Sequence, residues 1–167
     1  MGRRTLTTKQ MENFNTNNSA KGIAYEKEVK KDLIERGYTD ITEGIWPTKR
    51  DNNHPTRFYS KGVYFASVDF CALNPSGEYE YIEAKGGVTG RRNNQKKLNS
   101  GATRSDTVKK ALFNGAIRKK ILPQGRYVIY FSEEPRPNSP TDVMIDQALE
   151  WGWVDEVRYL PFYETIN

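Results

Sequence analysis

The sequence predicts an α/β protein in which helices flank a mixed central β-sheet. Helical periodicity occurs at 22–37, 105–121 and 140–151, and segments rich in β-branched and aromatic residues occur at 65–73, 78–85, 126–131 and 153–160. A turn signal separates the first two of these strands, which are expected to form an antiparallel hairpin. The order of helix, hairpin, helix, strand, helix and strand is typical of an α/β sandwich.

A narrow apolar stripe defines the first helix. Tyr25, Val29 and Leu33 recur every four residues and are expected to be buried. Glu26 projects from the edge of this stripe, whereas Glu28 falls on the opposite side of the helix. A carboxylate that faces inward needs a partner, and one explanation is an ion pair with a basic side chain.

The turn between the two hairpin strands fixes how they pair. Pro75 suits the first central position of a type I turn, and Gly77 suits the left-handed position that follows. This loop pairs Asn74 with Glu78, and the pairing of every other residue in the hairpin follows from it.

In this register the hairpin brings two carboxylates and a lysine onto one face. Asp69 falls opposite Glu83, with Cβ atoms about 5 Å apart, and Lys85 lies two residues further along the same face. The other face is expected to be apolar and to pack against a core. Its members are Ala66, Val68, Phe70, Ala72, Ile82 and Ala84.

Two adjacent carboxylates raise each other's pKa unless a cation lies between them. A divalent cation with oxygen ligands removes the repulsion, and Mg²⁺ is the expected ion, with Mn²⁺ as a substitute. The ammonium of Lys85 could orient or help deprotonate a water and stabilise negative charge on a phosphate. The alternative is a ladder of charged side chains on the hairpin surface, without chemistry.

These residues resemble the motif of the PD-(D/E)xK nuclease superfamily, which has the restriction-endonuclease-like fold. The match consists of Asp69, thirteen residues, then Glu83-Ala84-Lys85, with Val68 where the family usually has proline. The family also has a glutamate on its first helix, after a glycine and an aromatic residue, which matches Gly22 to Glu26. The resemblance extends over residues 22–131.

The resemblance implies a three-layer sandwich and a metal site. Asp69, Glu83 and the carbonyl of Ala84 would hold Mg²⁺, and Lys85 would orient or activate the attacking water. Glu26 would then face the same site, and would complete it or hold a second metal.

Charge is distributed unevenly along the chain. Residues 85–126 contain twelve Lys or Arg and one acid, Asp106, whereas residues 127–167 contain two basic and eight acidic residues. A concentrated positive field beside a carboxylate pair favours a polyanionic substrate. The alternative is a solvated basic surface that balances the acidic final third. The expected nucleic-acid contacts are Arg91, Arg92, Lys96, Lys97, Arg104 and Lys109.

Further expectations concern the surroundings of these motifs. Residues 86–97 are expected to be a flexible loop, and Ser105 is expected to cap the second helix. Apolar stripes on the second and third helices, and the aromatic residues near the C-terminus, are expected to pack in the core; self-association is the alternative for the aromatic group. These sets are Val108, Leu112, Phe113, Ala116 and Ile117; Val143, Ala148 and Leu149; and Trp151, Trp153, Tyr159, Phe162 and Tyr163.

Length and composition indicate one domain, residues 21–167, preceded by a polar arm, residues 1–20. No apolar run is long enough to span a bilayer, and the single cysteine, Cys71, excludes an internal disulfide and a cysteine-based zinc cluster. A cytoplasmic location is therefore expected. The single histidine, His54, is expected to be a solvated loop residue, and there is no phosphate-binding loop motif.

The function predicted from the sequence is a Mg²⁺-dependent endonuclease that hydrolyses phosphodiester bonds, with double-stranded DNA as the favoured substrate. Because cutting both strands needs two sites, a homodimer is expected. Two alternatives stay open: an RNA-cleaving toxin domain of the same fold, and a nucleic-acid-binding protein without catalytic activity.

Overall fold

The computed structural model describes residues 8–44, 53–90, 92–93, 96–97 and 100–163, and side chains are described in 20–44, 53–90 and 100–163. The helices in this part of the chain are α1 (Thr8–Glu35), α2 (Ser105–Ile121) and α3 (Pro140–Glu150), with a short 3-10 helix at Gly101–Thr103. The strands are β1 (Thr39–Glu43), β2 (Arg57–Ser60), β3 (Val63–Ser67), β4 (Phe70–Leu73), β5 (Tyr79–Lys85), β6 (Arg92–Asn93), β7 (Lys96–Lys97), β8 (Arg126–Phe131) and β9 (Glu156–Tyr159).

The main sheet has five strands in the order β1-β4-β5-β8-β9. The β1-β4 and β4-β5 pairs are antiparallel, and the β5-β8 and β8-β9 pairs are parallel. Parallel neighbours need a crossover connection, and α2 and α3 provide these connections. The predicted α/β class with a mixed sheet is confirmed.

Helices cover both faces of this sheet. On one face, Tyr25, Val29 and Leu33 of α1 are fully buried against residues of β4, β5 and β8 that include Phe70 and Ile82. On the other face, α2 and α3 pack against the alternate side chains of β8. The apolar stripe predicted for the first helix is therefore confirmed.

The predicted hairpin register is also confirmed. Phe70 pairs with Ile82 and Leu73 with Tyr79, as the turn requires. The N–H of Asn74 accordingly donates to the carbonyl of Glu78 at 2.9 Å.

The strand predicted at 65–73 is wrong in one respect, because the chain turns at Val68 and Asp69 and forms two strands. Phe70 and Ala72 face α1 as expected, but Ala66 and Val68 pack in the cluster on the α2 side. β3 pairs with β2 in a separate hairpin, residues 57–67, which the sequence reading did not predict.

The bounds of α2 match the prediction, but its capping and buried face differ. Arg104, and not Ser105, is the N-cap residue, and its side chain makes no capping hydrogen bond. Phe113 is 61% exposed, and in its place Ala111 faces the core. On α3, Val143 and Leu149 are exposed, whereas Ala148 and Ile145 are buried.

The C-terminal end of the chain differs from expectation, whereas the arm expected at residues 1–20 stays a prediction. The backbone is helical from Thr8, so residues 8–20 continue α1, and residues 1–7 lie outside the described part. The C-terminal aromatic residues are mostly exposed, with Phe162 as the exception that packs beside α1. The exposed members are Trp151, Trp153, Tyr159 and Tyr163. No helix in the described chain has the length and apolar character needed to cross a bilayer.

Residues 86–97, which follow β5 and were predicted to form a flexible loop, make defined contacts at both ends of the segment. Val88 is buried, and the hydroxyl of Thr89 donates to the carbonyl of Ser132. Further along, β6 and β7 form a short antiparallel ladder that pairs Arg92 with Lys97. Arg91 lies outside the described residues.

Gly86, directly after β5, allows α1 to approach the sheet. A Cβ at this position would lie 2.2–2.5 Å from ring atoms of Tyr25, which is far inside van der Waals contact. We expect Gly86→Ala to lower the free energy of unfolding by about 1–3 kcal/mol, measured by urea denaturation, because α1 would have to move away.

Gly22→Ala is the matched control, since a Cβ at position 22 meets no atom within 4 Å and the residue lies inside α1. The control should raise the free energy of unfolding by about 0.5–1 kcal/mol, as alanine does in a helix interior. Equal effects of the two substitutions would contradict the close approach of α1.

Candidate active site at the carboxyl end of β5

Asp69 is held at the start of β4 by three backbone interactions. Its N–H donates to the carbonyl of Ile82 at 3.0 Å, and its carbonyl accepts from the N–H of Gly44 at 2.6 Å. Its Oδ2 accepts from the N–H of Ala84 at 2.7 Å. The carboxylate of Asp69 is therefore bound to the backbone of the residue that follows Glu83.

Glu83 and Lys85 lie on the face of β5 that is turned away from α1. Glu83 is 4% exposed, and its Oε1 forms an ion pair with Nζ of Lys85, whose side chain is 28% exposed. Their neighbours on β8, Ile129 and Phe131, are fully buried. Of the two charged side chains, Lys85, at the carboxyl end of the strand, is therefore the more exposed to solvent.

Glu26 on α1 belongs to the same electrostatic cluster. Its pKa is raised to about 7, first by burial and then by the negative charge of Asp69, while the charge of Lys85 lowers it. The structure therefore brings together the four residues that the sequence assigned to a catalytic site: Glu26, Asp69, Glu83 and Lys85.

One ammonium faces three carboxylates in this cluster. Burial raises the pKa of Asp69, and Lys85 and the N–H of Ala84 offset this only in part. Burial and the charge of Asp69 likewise raise the pKa of Glu83, despite its ion pair. Burial lowers the pKa of Lys85, but the carboxylates outweigh this effect and its pKa is raised. The lysine is therefore an ammonium. Its single positive charge does not offset the cost of burying three carboxylates.

A second buried carboxylate on β5, Glu80, has more hydrogen-bonding and charged partners than Glu83 has among the described residues. Glu80 is 1% exposed, and it accepts hydrogen bonds from Tyr38 at 2.6 Å and from Asn74 at 3.0 Å. It also lies 3.2 Å from Nε of Arg126. Glu80 is thus well compensated and structural, whereas the partner of Glu83 among the described residues is Lys85 alone.

The donor set fits a hydrated divalent cation. Within the described residues, no group of three or more His, Cys, Asp or Glu side chains is arranged to hold a metal ion. Mg²⁺, however, commonly takes one or two carboxylates and completes its octahedron with water and substrate phosphate. Asp69 and Glu83 supply such a pair. Burial raises the pKa of both carboxyls, and the charge of Asp69 adds to the rise at Glu83, so a cation beside them would favour their charged forms.

The amino end of α2 lies beside this site. The N–H of Ala102, in the 3-10 helix, donates to the carbonyl of Glu133 at 2.9 Å, and the hydroxyl of Ser100 donates to its carboxylate at 2.6 Å. These bonds hold the start of α2 against the carboxyl end of β8. Lys109 and Lys110, in the second turn of α2, are exposed and have no ion pair within the described chain.

Other members of the basic block have structural roles. Arg118 is fully buried, donates to the carbonyls of Gln124 and Gly125, and lies 4.9 Å from the ring centroid of Tyr81. Lys119 pairs with Asp155 at 2.9 Å. Arg126 similarly pairs with Glu156 at 2.9 Å. The alternative of charge balance with the acidic final third thus holds for part of the block.

The remaining predicted nucleic-acid contacts are only partly described. Arg104 is exposed and pairs with Asp106 at 3.0 Å. The backbones of Arg92, Lys96 and Lys97 lie in β6 and β7, while their side chains are outside the description. The roles of these residues, and of the Ala84 carbonyl, stay predictions.

Sequence reasoning missed two features that shape the site. Gly86 allows α1, with Glu26, to pack near Lys85, and the chain shows no pattern that distinguishes it from a loop glycine. The β2-β3 hairpin directly precedes Asp69, and its signal was Lys61-Gly62 between two segments rich in aromatic residues.

Glu26→Gln provides a test of the charge imbalance by its pH dependence. A raised folded-state pKa means that the stability contributed by protonated Glu26 is present at low pH and is lost as the pH rises through about 7. In EDTA, the variant should therefore exceed the wild type in stability by about 1 kcal/mol at pH 8, after allowance for solvent screening, and by less at pH 5.

Glu35→Gln, exposed at the end of the same helix, is the control and should change the stability by less than about 0.5 kcal/mol at both pH values. Urea denaturation gives the free energies. Loss of stability at pH 8 in Glu26→Gln would mean that Glu26 is a structural ion-pair partner.

Comparisons with known proteins add no assignment to this geometry. No protein-family model matches the chain, and neither curated proteins nor solved structures give a match.

Proposed function

We propose that this protein is a metal-dependent endonuclease of the PD-(D/E)xK type, with the restriction-endonuclease-like fold, that hydrolyses phosphodiester bonds with Mg²⁺. The observation that carries this proposal is the buried carboxyl pair Asp69 and Glu83, with raised pKa values, and Lys85 beside them at the carboxyl end of β5. Buried like charges are costly, and they cluster at functional sites. The mixed sheet with helices on both faces is compatible with the proposed fold.

Each residue has a role that follows from its surroundings. Asp69 and Glu83 would hold the metal, and the N–H of Ala84 fixes the orientation of Asp69. Lys85, as an ammonium, would position the attacking water and stabilise negative charge on the phosphate. Glu26 would accept a proton or hold a second ion. A bound Mg²⁺ would polarise the phosphoryl oxygen and lower the pKa of a bound water.

The raised pKa of Lys85 supports one of the two roles proposed for this residue. An ammonium donates hydrogen bonds but does not accept a proton, so Lys85 acts as an orienting and stabilising group. Proton removal from the water is then left to a carboxylate, and Glu26, with a pKa of about 7, is suited to it near neutral pH.

DNA is the proposed substrate, and a homodimer is the proposed state for cutting both strands. The exposed lysines of α2 would contact the backbone on the side where β5 ends. RNA cleavage by the same site and binding without cleavage are the two alternatives, and the experiments below separate them.

Lys85→Ala should lower the cleavage rate by about 100- to 1,000-fold, because it removes a positive charge from the position of the reacting phosphate. The assay uses plasmid DNA, a four-way junction and total tRNA, each with Mg²⁺, Mn²⁺ or EDTA. Lys120→Ala, which alters an exposed lysine at the far end of α2, is the control and should keep the wild-type rate.

Cleavage in EDTA, or cleavage that survives Lys85→Ala, would contradict the proposed site. Activity on tRNA alone would identify the RNA-cleaving alternative, and binding without cleavage at any metal concentration would identify the silent binder. Thermal stabilisation by Mg²⁺ that is present in the wild type and lost in Glu83→Gln would separate metal binding from catalysis.

Lys109→Ala and Lys120→Ala form a second matched pair. Both residues are exposed on α2, but they lie eleven residues apart in the sequence, which is about 16 Å along the helix. If nucleic acid lies across the carboxyl end of β5, Lys109→Ala should reduce the slope of log K against log salt by about 1, and Lys120→Ala should leave it unchanged. Fluorescence anisotropy in EDTA measures both. Equal slopes for the two variants would place the nucleic acid elsewhere.

A further inference from the structure

The β2-β3 hairpin, which directly precedes Asp69 in the chain, carries aromatic rings and positive charge. Its strands are joined by Lys61 and Gly62, with φ of 50° and 76°, which is the left-handed pair of a tight two-residue turn. Phe58 is 2% exposed, and its ring packs edge-on against Tyr81 at 5.2 Å. The hairpin is therefore anchored in the core and has little freedom to swing.

The other side of the hairpin faces solvent. The Tyr64 ring is 48% exposed and lies 5.9 Å from the Tyr59 ring, at 62°. The guanidinium of Arg57 lies 5.9 Å from the centroid of the same ring, and the Tyr64 hydroxyl bonds to Ser67 at 3.2 Å. These contacts hold an exposed ring in a defined orientation. A cross-strand tyrosine pair also stabilises a hairpin, so the rings alone do not identify a ligand.

The charged residues of this segment indicate what kind of ligand it would bind. Residues 52–68 contain no Asp or Glu, and they include Arg57 and Lys61, the latter exposed at the tip. A surface of aromatic rings and positive charge is complementary to a polyanion that carries flat apolar groups. Unpaired bases on a phosphate backbone have this chemistry, and they stack on aromatic side chains with little sequence preference.

The hairpin is close to the carboxylate site along the chain, because it leads directly to Asp69. The N–H of Val68 donates to the carbonyl of Thr56 at 2.9 Å, so the hairpin ladder extends to the residue before Asp69. Tyr64 is five residues from Asp69, about 17 Å of extended strand at most. This distance corresponds to about five nucleotides of a stacked strand.

We propose that the outer face of the β2-β3 hairpin is a stacking platform that binds unpaired bases of the strand cleaved at the carboxylate site. This inference rests on the proposed nuclease function and names its substrate class: a polynucleotide with a single-stranded segment within a few nucleotides of the scissile phosphate. Tyr64 is the stacking ring, and Lys61, exposed at the turn, contacts an adjoining phosphate.

The test measures binding in EDTA, where cleavage does not interfere. The probes are a labelled single-stranded 20-mer of DNA, the same sequence as RNA, and a 20-base-pair DNA duplex. Tyr64→Val removes the ring but keeps a residue that favours strands, Tyr64→Phe keeps the ring, and Tyr79→Val alters an exposed tyrosine at the opposite end of β5.

We expect Tyr64→Val to weaken single-strand binding about tenfold or more and duplex binding less than twofold. Tyr64→Phe and Tyr79→Val should bind as the wild type does. Equal losses on single strand and duplex, or no loss, would overturn the proposal, as would self-association that depends on Tyr64 in place of nucleic-acid binding. The two single-stranded probes show whether DNA or RNA is preferred.

A second measurement does not depend on the fold of a variant. Ultraviolet crosslinking of a 5-iodouracil-substituted single strand to the wild-type protein, mapped by mass spectrometry, should place the adduct on Tyr64 or Tyr59. Adducts confined to other residues would overturn the proposal. Tyr64-dependent binding in a protein that fails the cleavage assay would keep the platform and reject the nuclease, so the two proposals fail separately.

Discussion

The charge balance around Lys85 is the constraint on which the rest of the site depends. Three carboxylates, on α1, before β4 and on β5, share one ammonium, and burial keeps water from compensating the difference. Glu80 shows that this fold can satisfy a buried carboxylate fully, since it has hydrogen-bond donors from a tyrosine and an asparagine and an arginine beside it. Within the described part of the chain, Glu83 has no equivalent set of partners, which is therefore a local property of the site. Such uncompensated charge lowers stability, and it persists where function requires it.

The scaffold maintains this arrangement through backbone contacts. Asp69 is fixed by its own N–H and by the N–H of Ala84, so its position follows from the pairing of β4 with β5. Glu26 depends on how closely α1 approaches, which Gly86 permits by the absence of a side chain. The 3-10 helix, bound to Glu133, sets where α2 begins. Small changes in these contacts would move a charged group by an ångström without altering the fold.

The parts predictable from sequence are those that local geometry determines. The turn at Asn74 to Gly77 fixes the hairpin pairing, and a helical period of four fixed the buried side of α1. The change of face at Val68 and Asp69 was not predictable, because strand alternation reads as continuous when the backbone rotates between two sheets. The exposed C-terminal aromatics were misjudged for another reason: apolar residues are common on protein surfaces, so hydrophobicity alone does not place a tryptophan in the core.

The structure also limits how much of the basic block can act on a ligand. Arg118, Lys119 and Arg126 already have partners on the C-terminal third or its connecting turn, so they add little to binding of a polyanion. Among the described side chains of the block, the exposed and unpaired positive charge on the site's side of α2 comes from Lys109 and Lys110. Positive charge of this kind attracts many polyanions and does not distinguish single-stranded from paired nucleic acid, since counterion release does not depend on base pairing. If the ligand is a nucleic acid, selectivity has to come from contacts that sense whether bases are stacked within a duplex, which is the role proposed for the exposed rings of the β2-β3 hairpin.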